Sequence, residues 1–363
     1  MYAISIFLFR HNEYINISVL EYINKYIVVR HNISMAELWE KHIHNKLEEL
    51  EKSLLEKYKQ DHNLEKRDYA EYEKEFKKRF RNAIKEMPSL IEKATTNLKF
   101  YRGRGDKPSL KIDQRLRLLL ISQLAGKSNR MMAYMTEIFS VITGINKSYK
   151  TIERLYSDGE IEIALYNLWQ LLLKKSNVNN VDCCGDATGY GLFISKHYCS
   201  YVQKLKDKAK ESENTKKAFV YKFALMDLKT KMYICFGTSL ISERKAFDKA
   251  MQMLKEMEIK INSVRLDRYY SNPCDVNLFP ETKVFIIPKK NAKLGHGIHW
   301  YETMKSFVEE TIKYLEEYFK RNNSESGWSA DKKMFGWNIK QKRDDRINIA
   351  LFCRAVWHNL LNL

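Results

Sequence analysis

The chain has 363 residues, 44% of them hydrophobic and 30% charged, which is ample for two or three folded domains and excludes a largely disordered protein. It carries 63 Lys and Arg against 45 Asp and Glu, a net charge of +18, and a field of that sign favours polyanionic partners, nucleic acid first among them. No apolar run approaches the roughly 18–20 residues of a membrane span, and six scattered cysteines fit the reduced thiols of a cytoplasmic protein rather than a disulfide framework.

Residues 1–35 read as an N-terminal extension. Its apolar run YAISIFLF is too short for a span and fits a strand or small hairpin. Residues 36–100 read as a charged helical region. Leu38, Ile43, Leu47, Leu50, Leu54 and Leu55 recur at helical spacing among Glu and Lys, and Pro88 should start or break a helix. The stretch FYRGRGDKPSL is a basic linker, whose Arg102 and Arg104 could also reach into a minor groove.

Residues 101–175 form a helical, helix-turn-helix-like region. One helix runs through QRLRLLLISQLA to Gly126. A second is capped by Ser128 and runs to Gly144, and a third starts near Ser148. As a recognition helix the third would bring Lys147, Tyr149, Lys150 and Arg154 to DNA; the same pattern also suits a small bundle that only packs on its neighbour.

From about residue 176 the texture changes to α/β. VDCCGDATG reads as a strand, AFVYKFALMDL and KMYICFGTSLI as a hairpin turning at Lys229 and Thr230, and Arg244 to Glu258 as an amphipathic helix. INSVRLD and KVFIIPKK read as strands. A long helix over about 301–322 and a final one through DDRINIALFCRAVWHNLL complete a mixed-sheet domain over 176–363.

GDATGYG could be a phosphate-cradling glycine loop, but no helix opens after it and no Lys-Ser or Lys-Thr follows. The other reading is a strand that presents Asp186 at or near its end. Asp267 ends another strand in the same domain, and Glu325 lies just past the long helix. Three carboxylates from separate elements can hold two hard divalent cations. Cys183, Cys184, His197 and Cys199 lack zinc-site spacing, and His296 and His299 fit an exposed loop. Trp328 and Trp337 fit core anchors, with base stacking the alternative.

YFKRNNSESGWSADK places Tyr318, Arg321, Glu325 and Lys332 at the spacing Y-x2-R-x3-E-x6-K. This resembles the signature of DDE-class insertion-sequence transposases. GDATG around Asp186 resembles the first aspartate motif of that group. LDRYYS around Asp267 resembles the second, with Tyr269 where a glycine commonly stands. The resemblance spans about residues 180–360. It implies an RNase H-like catalytic domain preceded by the all-α DNA-binding region, with Asp186, Asp267 and Glu325 as ligands for two Mg²⁺ or Mn²⁺ ions. Tyr318, Arg321 and Lys332 would contact phosphates. The implied partners are the double-stranded terminal inverted repeats and target DNA, the implied assembly is a homodimer in the synaptic complex, and the implied place is the cytoplasm, on the nucleoid when bound to DNA. A catalytically silent DNA-binding derivative and an endonuclease without strand transfer are the rival functions.

Overall fold

The computed structural model describes residues 68–100, 109–192, 219–289 and 296–363, apart from Asn129, with a few isolated positions outside these ranges. The expected N-terminal hairpin, the helices before residue 68, Arg102, Arg104, His197 and Cys199 lie outside the described residues. Two compact units emerge, one of Tyr69–Lys260 with Asn323–Leu363 and another built around Ile261–Asn322. The protein is mixed α/β.

The larger unit opens with five helices: α1 (Tyr69–Thr95), α2 (Ile112–Ala125), α3 (Met132–Thr143), α4 (Tyr149–Leu155) and α5 (Gly159–Lys175). α1 continues past Pro88, against the expected start or break. Its flanking residues Met87, Leu90 and Ile91 are all buried, and that burial outweighs the lost hydrogen bond. Gly126 and Gly144 end α2 and α3 in the left-handed conformation that glycine adopts without strain. Ser148 precedes α4 as expected, whereas Met131 rather than Ser128 sits at the start of α3. Ser128 instead lends its backbone carbonyl to the Met132 N–H, 3.0 Å away. Arg115 of α2 is buried against Asp158 and Glu160 at the start of α5, which fixes the two helices to each other.

A mixed sheet follows, made of β1 (Asn180–Leu192), β2 (Phe219–Asp227) and β3 (Tyr233–Ser239), antiparallel in the order β3-β2-β1. A short β6 (Asn338–Ile339) pairs parallel with the end of β1. The β2–β3 turn is wider than the Lys229–Thr230 pair. The Asp227 carboxylate accepts from both the N–H and the hydroxyl of Thr230 at 2.7 Å, and Lys231 takes φ 62°.

α6 (Glu243–Glu256) covers one sheet face, its Phe247 edge-on to Phe223 at 5.0 Å. The opposite face carries α5, α10 (Asn322–Phe335) and the C-terminal α11 (Asp344–Leu361), whose apolar side chains form the main core. The Asn359 side chain bonds both the N–H and the carbonyl of Tyr233 and so satisfies the backbone of β3 as another strand would.

In the smaller unit β4 (Lys260–Leu266) pairs parallel with β5 (Lys283–Phe285), and the short α7 (Pro273–Val276) lies between them in sequence. α8 (Ile298–Glu309) and α9 (Thr311–Phe319) replace the single long helix expected there. At the break the Thr311 hydroxyl donates back to the Phe307 carbonyl at 2.8 Å, a local bond that competes with helix continuation. Tyr314 ties α9 to the sheet: its hydroxyl accepts from the Ile286 N–H at 2.8 Å.

Candidate functional site

GDATGYG lies wholly inside β1, and none of its glycines takes a positive φ. The glycine-loop reading is therefore excluded. Asp186 sits in the middle of the strand rather than at its end, half-exposed, with Oδ1 accepting from the Ala187 N–H at 2.9 Å.

Side chains alternate along a strand, so Asp186, Thr188 and Tyr190 share one face. Across the ladder Asp186 faces Ala224 and Thr188 faces Lys222. α10 lies over this same face: Lys332 stands 5.5 Å from the Tyr190 ring, and Trp328 lies 4.9 Å from the Lys222 ammonium. Glu325 is three residues before the buried Trp328 and is exposed in the first turn. It thus begins this helix rather than following the previous one. A carboxylate there complements the helix dipole.

Lys332 is flanked by Tyr190 and by the Trp337 ring at 4.6 Å, and partial burial lowers its pKa from the ordinary lysine value. Trp337 itself is 66% exposed, whereas Trp328 is a core anchor stacked on Tyr233 at 5.0 Å.

In the smaller unit Asp267 follows β4 and accepts from the Tyr269 N–H at 2.8 Å, which starts a short 3-10 turn. Arg321 Nη1 reaches to 3.7 Å from Asp267 Oδ2. The Arg321 guanidinium also lies 5.9 Å from the ring of Tyr318, which is buried. Three motif residues that sequence spacing singled out thus meet here. Beside them Arg265 is buried among Ser263, Glu317 and the Phe285 ring. Burial raises the Glu317 carboxyl, but Lys320 and Arg265 outweigh it and hold the group below its usual value.

The three acids are hard oxygen donors, the chemistry that Mg²⁺ or Mn²⁺ takes. Asp186 and Glu325 belong to the larger unit and Asp267 to the smaller. Among the described residues no three or more His, Cys, Asp or Glu side chains stand close enough together to hold a metal ion. Cys183 and Cys184 are buried free thiols, His296 is exposed, and His299 begins α8 half-exposed.

On the expected recognition helix Lys150 and Arg154 are exposed one turn apart, and Lys147 and Tyr149 are half-exposed. Ile152 and Leu155 turn inward, and Arg346 of α11 holds the neighbouring Glu153 and Ser157. The exposed side is therefore basic and the buried side apolar.

Sequence reading missed a buried polar cluster under α10. Lys222 is fully buried, its ammonium 3.7 Å from Asp331 and ringed by Tyr233 (4.7 Å), Trp328 (4.9 Å) and Phe236 (5.7 Å). Asp331 also meets His358 Nδ1 at 2.8 Å and accepts from the Tyr233 hydroxyl at 3.0 Å. His358 Nε2 faces the Lys231 carbonyl at 2.8 Å. Burial raises the Asp331 carboxyl, yet His358, Lys222 and Tyr233 together hold it below the usual range. Burial pushes Lys222 down to about 8; Asp331 opposes that shift and Arg354 adds to it.

A lysine with a depressed folded pKa weakens the fold fully below pH 8, where it is charged in both states. Between pH 8 and about 10 only the unfolded chain keeps the proton, so stability should rise with pH by about 1 kcal/mol per unit. Above pH 10 the buried Tyr190 and Tyr233, whose pKa values burial raises, reverse the trend. Denaturant melts at pH 7.5, 8.5 and 9.5 check this, and Lys222→Met should remove the rise.

Among the described residues no helix is long and apolar enough to cross a membrane. No family model matches the chain, and no solved structure matches it. Over 298 residues, 82% of this chain and 88% of the relative, it is 41% identical to the probable transposase for insertion sequence element ISA1214 of Archaeoglobus fulgidus. Identity at that level over most of both sequences establishes the kinship: the chain belongs to the family of that insertion-sequence transposase.

Proposed function

We propose that this chain is a DDE transposase with an RNase H-like catalytic core, which binds the terminal inverted repeats of its element, cleaves there and joins the freed ends to target DNA. The observation that carries the reading is the meeting of Arg321 with Asp267 and Tyr318. The arginine of the Y-R-E-K run stands against the second aspartate of the series. Asp186 and Glu325 belong to the sheet face and the helix that lies over it.

Asp186, Asp267 and Glu325 would hold two Mg²⁺ or Mn²⁺ ions. Such ions supply a polarised phosphate and an activated water or 3′-hydroxyl. The chain's own work is binding and orientation. Arg321 offers a planar fork that suits a phosphate, pre-set by the Tyr318 ring, and Lys332 adds a point charge. Lys150 and Arg154, with Lys147 and Tyr149, would seat the helical region on the repeat and steer the duplex by charge. The protein would act in the cytoplasm on nucleoid DNA, as a homodimer when two ends are paired.

The test is a linear duplex bearing both element ends, incubated with the full chain, Mg²⁺ or Mn²⁺ and a target plasmid. The reading expects metal-dependent nicks at the repeat boundaries and end-to-plasmid joints. Nicks without joints would make the protein an endonuclease, and binding without nicks a silent derivative.

A further inference from the structure

The buried cluster beneath α10 has no evident reason to exist on stability grounds. A fully buried ion pair usually costs more in desolvation than its attraction returns, and an apolar replacement of equal size is commonly neutral or stabilising. The cluster joins the sheet to α10. Lys222 projects from β2, opposite Thr188 of β1 and next but one to the register of Asp186. Its ammonium meets Asp331 and the Trp328 ring, both on α10, the helix that begins with Asn322 and carries Glu325 in its first turn.

From the other side His358 and Tyr233 hold the same Asp331 carboxylate. Arg354 holds the far end of the helix by donating to the carbonyls of Phe335 and Gly336, each at 3.0 Å. Gly327 lets the helix sit close: a Cβ there would meet Met226 Sδ at 3.2 Å and the Tyr233 hydroxyl at 3.3 Å. The helix is therefore tied along its middle to the sheet that carries Asp186, and at its end to α11.

We infer that Lys222 and Asp331 are positioning residues, which set where α10 lies on the sheet and hence how Glu325 stands to Asp186. The inference rests on the proposed cleavage chemistry. In such chemistry a displacement of about 1 Å in a reacting group can cost on the order of 10²-fold in rate.

The test uses the full chain, Mg²⁺ and the terminal-repeat duplex, and compares wild type, Lys222→Met and Asp331→Asn. Lys222→Met should keep a cooperative folding transition at pH 7, because His358 and Tyr233 still hold the Asp331 carboxylate. It should bind the duplex as wild type does, yet cleave about 10–100-fold more slowly at saturating DNA and need more Mg²⁺ for half-maximal rate. Asp331→Asn, which keeps shape and loses charge, should show the same split between binding and turnover. Unchanged cleavage in Lys222→Met overturns the inference. So does a loss of cleavage in both variants that only follows a loss of the folding transition, because the cluster would then be structural. Wild type that cleaves nothing is a different result: it sinks the proposed chemistry, and this inference falls with it.

Discussion

Glu325→Gln should lower metal-dependent cleavage of a terminal-repeat duplex by at least about 10³-fold while leaving duplex affinity within a factor of a few. The substitution keeps the size and hydrogen-bonding shape of the side chain and removes one negative charge. Glu325 is exposed in the first turn of α10, so no core contact is lost. Losing the charge weakens the helix-dipole interaction by about 0.5 kcal/mol. A carboxylate near phosphate repels DNA, so its removal gives no reason for weaker binding. Single-turnover cleavage and a gel-shift titration on the same preparation separate the two effects. A variant that cleaves like wild type would remove Glu325 from the chemistry.

The second large effect concerns stability. Gly237 of β3 faces α6 with no room for a side chain. A Cβ there would overlap the Ala246 carbonyl oxygen, and it would stand 2.5 Å from the Ala250 nitrogen and 2.9 Å from the Lys249 Cβ. Two of those neighbours are helix backbone, which cannot swing aside as a flexible side chain would. Gly237→Ala should therefore destabilise the protein by about 3 kcal/mol or more, the upper range for overpacking. A melting transition lower by roughly 6–12 °C would report it. A melt within a degree or two of wild type would mean that α6 can lift from the sheet at little cost.

Local chemistry made much of this fold legible in the sequence. The final helix over Asp344–Leu361 follows the apolar run as read, because its pattern is long and its start is marked by two aspartates. Gly126 and Gly144 announced two helix ends for the reason glycine generally does, its ease in the left-handed region. Asp186 in GDATG, Asp267 in LDRYYS and Glu325 in the Y-R-E-K run are candidate acids by their sequence neighbours alone.

What stayed hidden depends on residues far apart in the chain. Nothing in VYKFALMD says that Lys222 is buried, because the groups that cover it, Trp328 and Asp331, lie about a hundred residues later. The break at Glu310 was invisible since the apolar spacing continues across it, and only the Thr311 hydroxyl marks it. Pro88 misled in the opposite direction, as the burial of its neighbours overrode the local rule. The glycines of β1 suggested a loop by composition, yet ladder pairing with β2 runs through all of them.

Under the proposed function Asp186, Asp267 and Glu325 would together hold divalent ions when the protein is bound to its DNA. The most direct measurement replaces Mg²⁺ with Fe²⁺ in the full chain on a terminal-repeat duplex and adds ascorbate and peroxide, so that radicals cut the protein backbone beside the bound metal. Three sets of fragments are expected, ending close to residues 186, 267 and 325, all suppressed by excess Mg²⁺. Cuts at other places, or cuts near one acid alone that Mg²⁺ does not suppress, would contradict it.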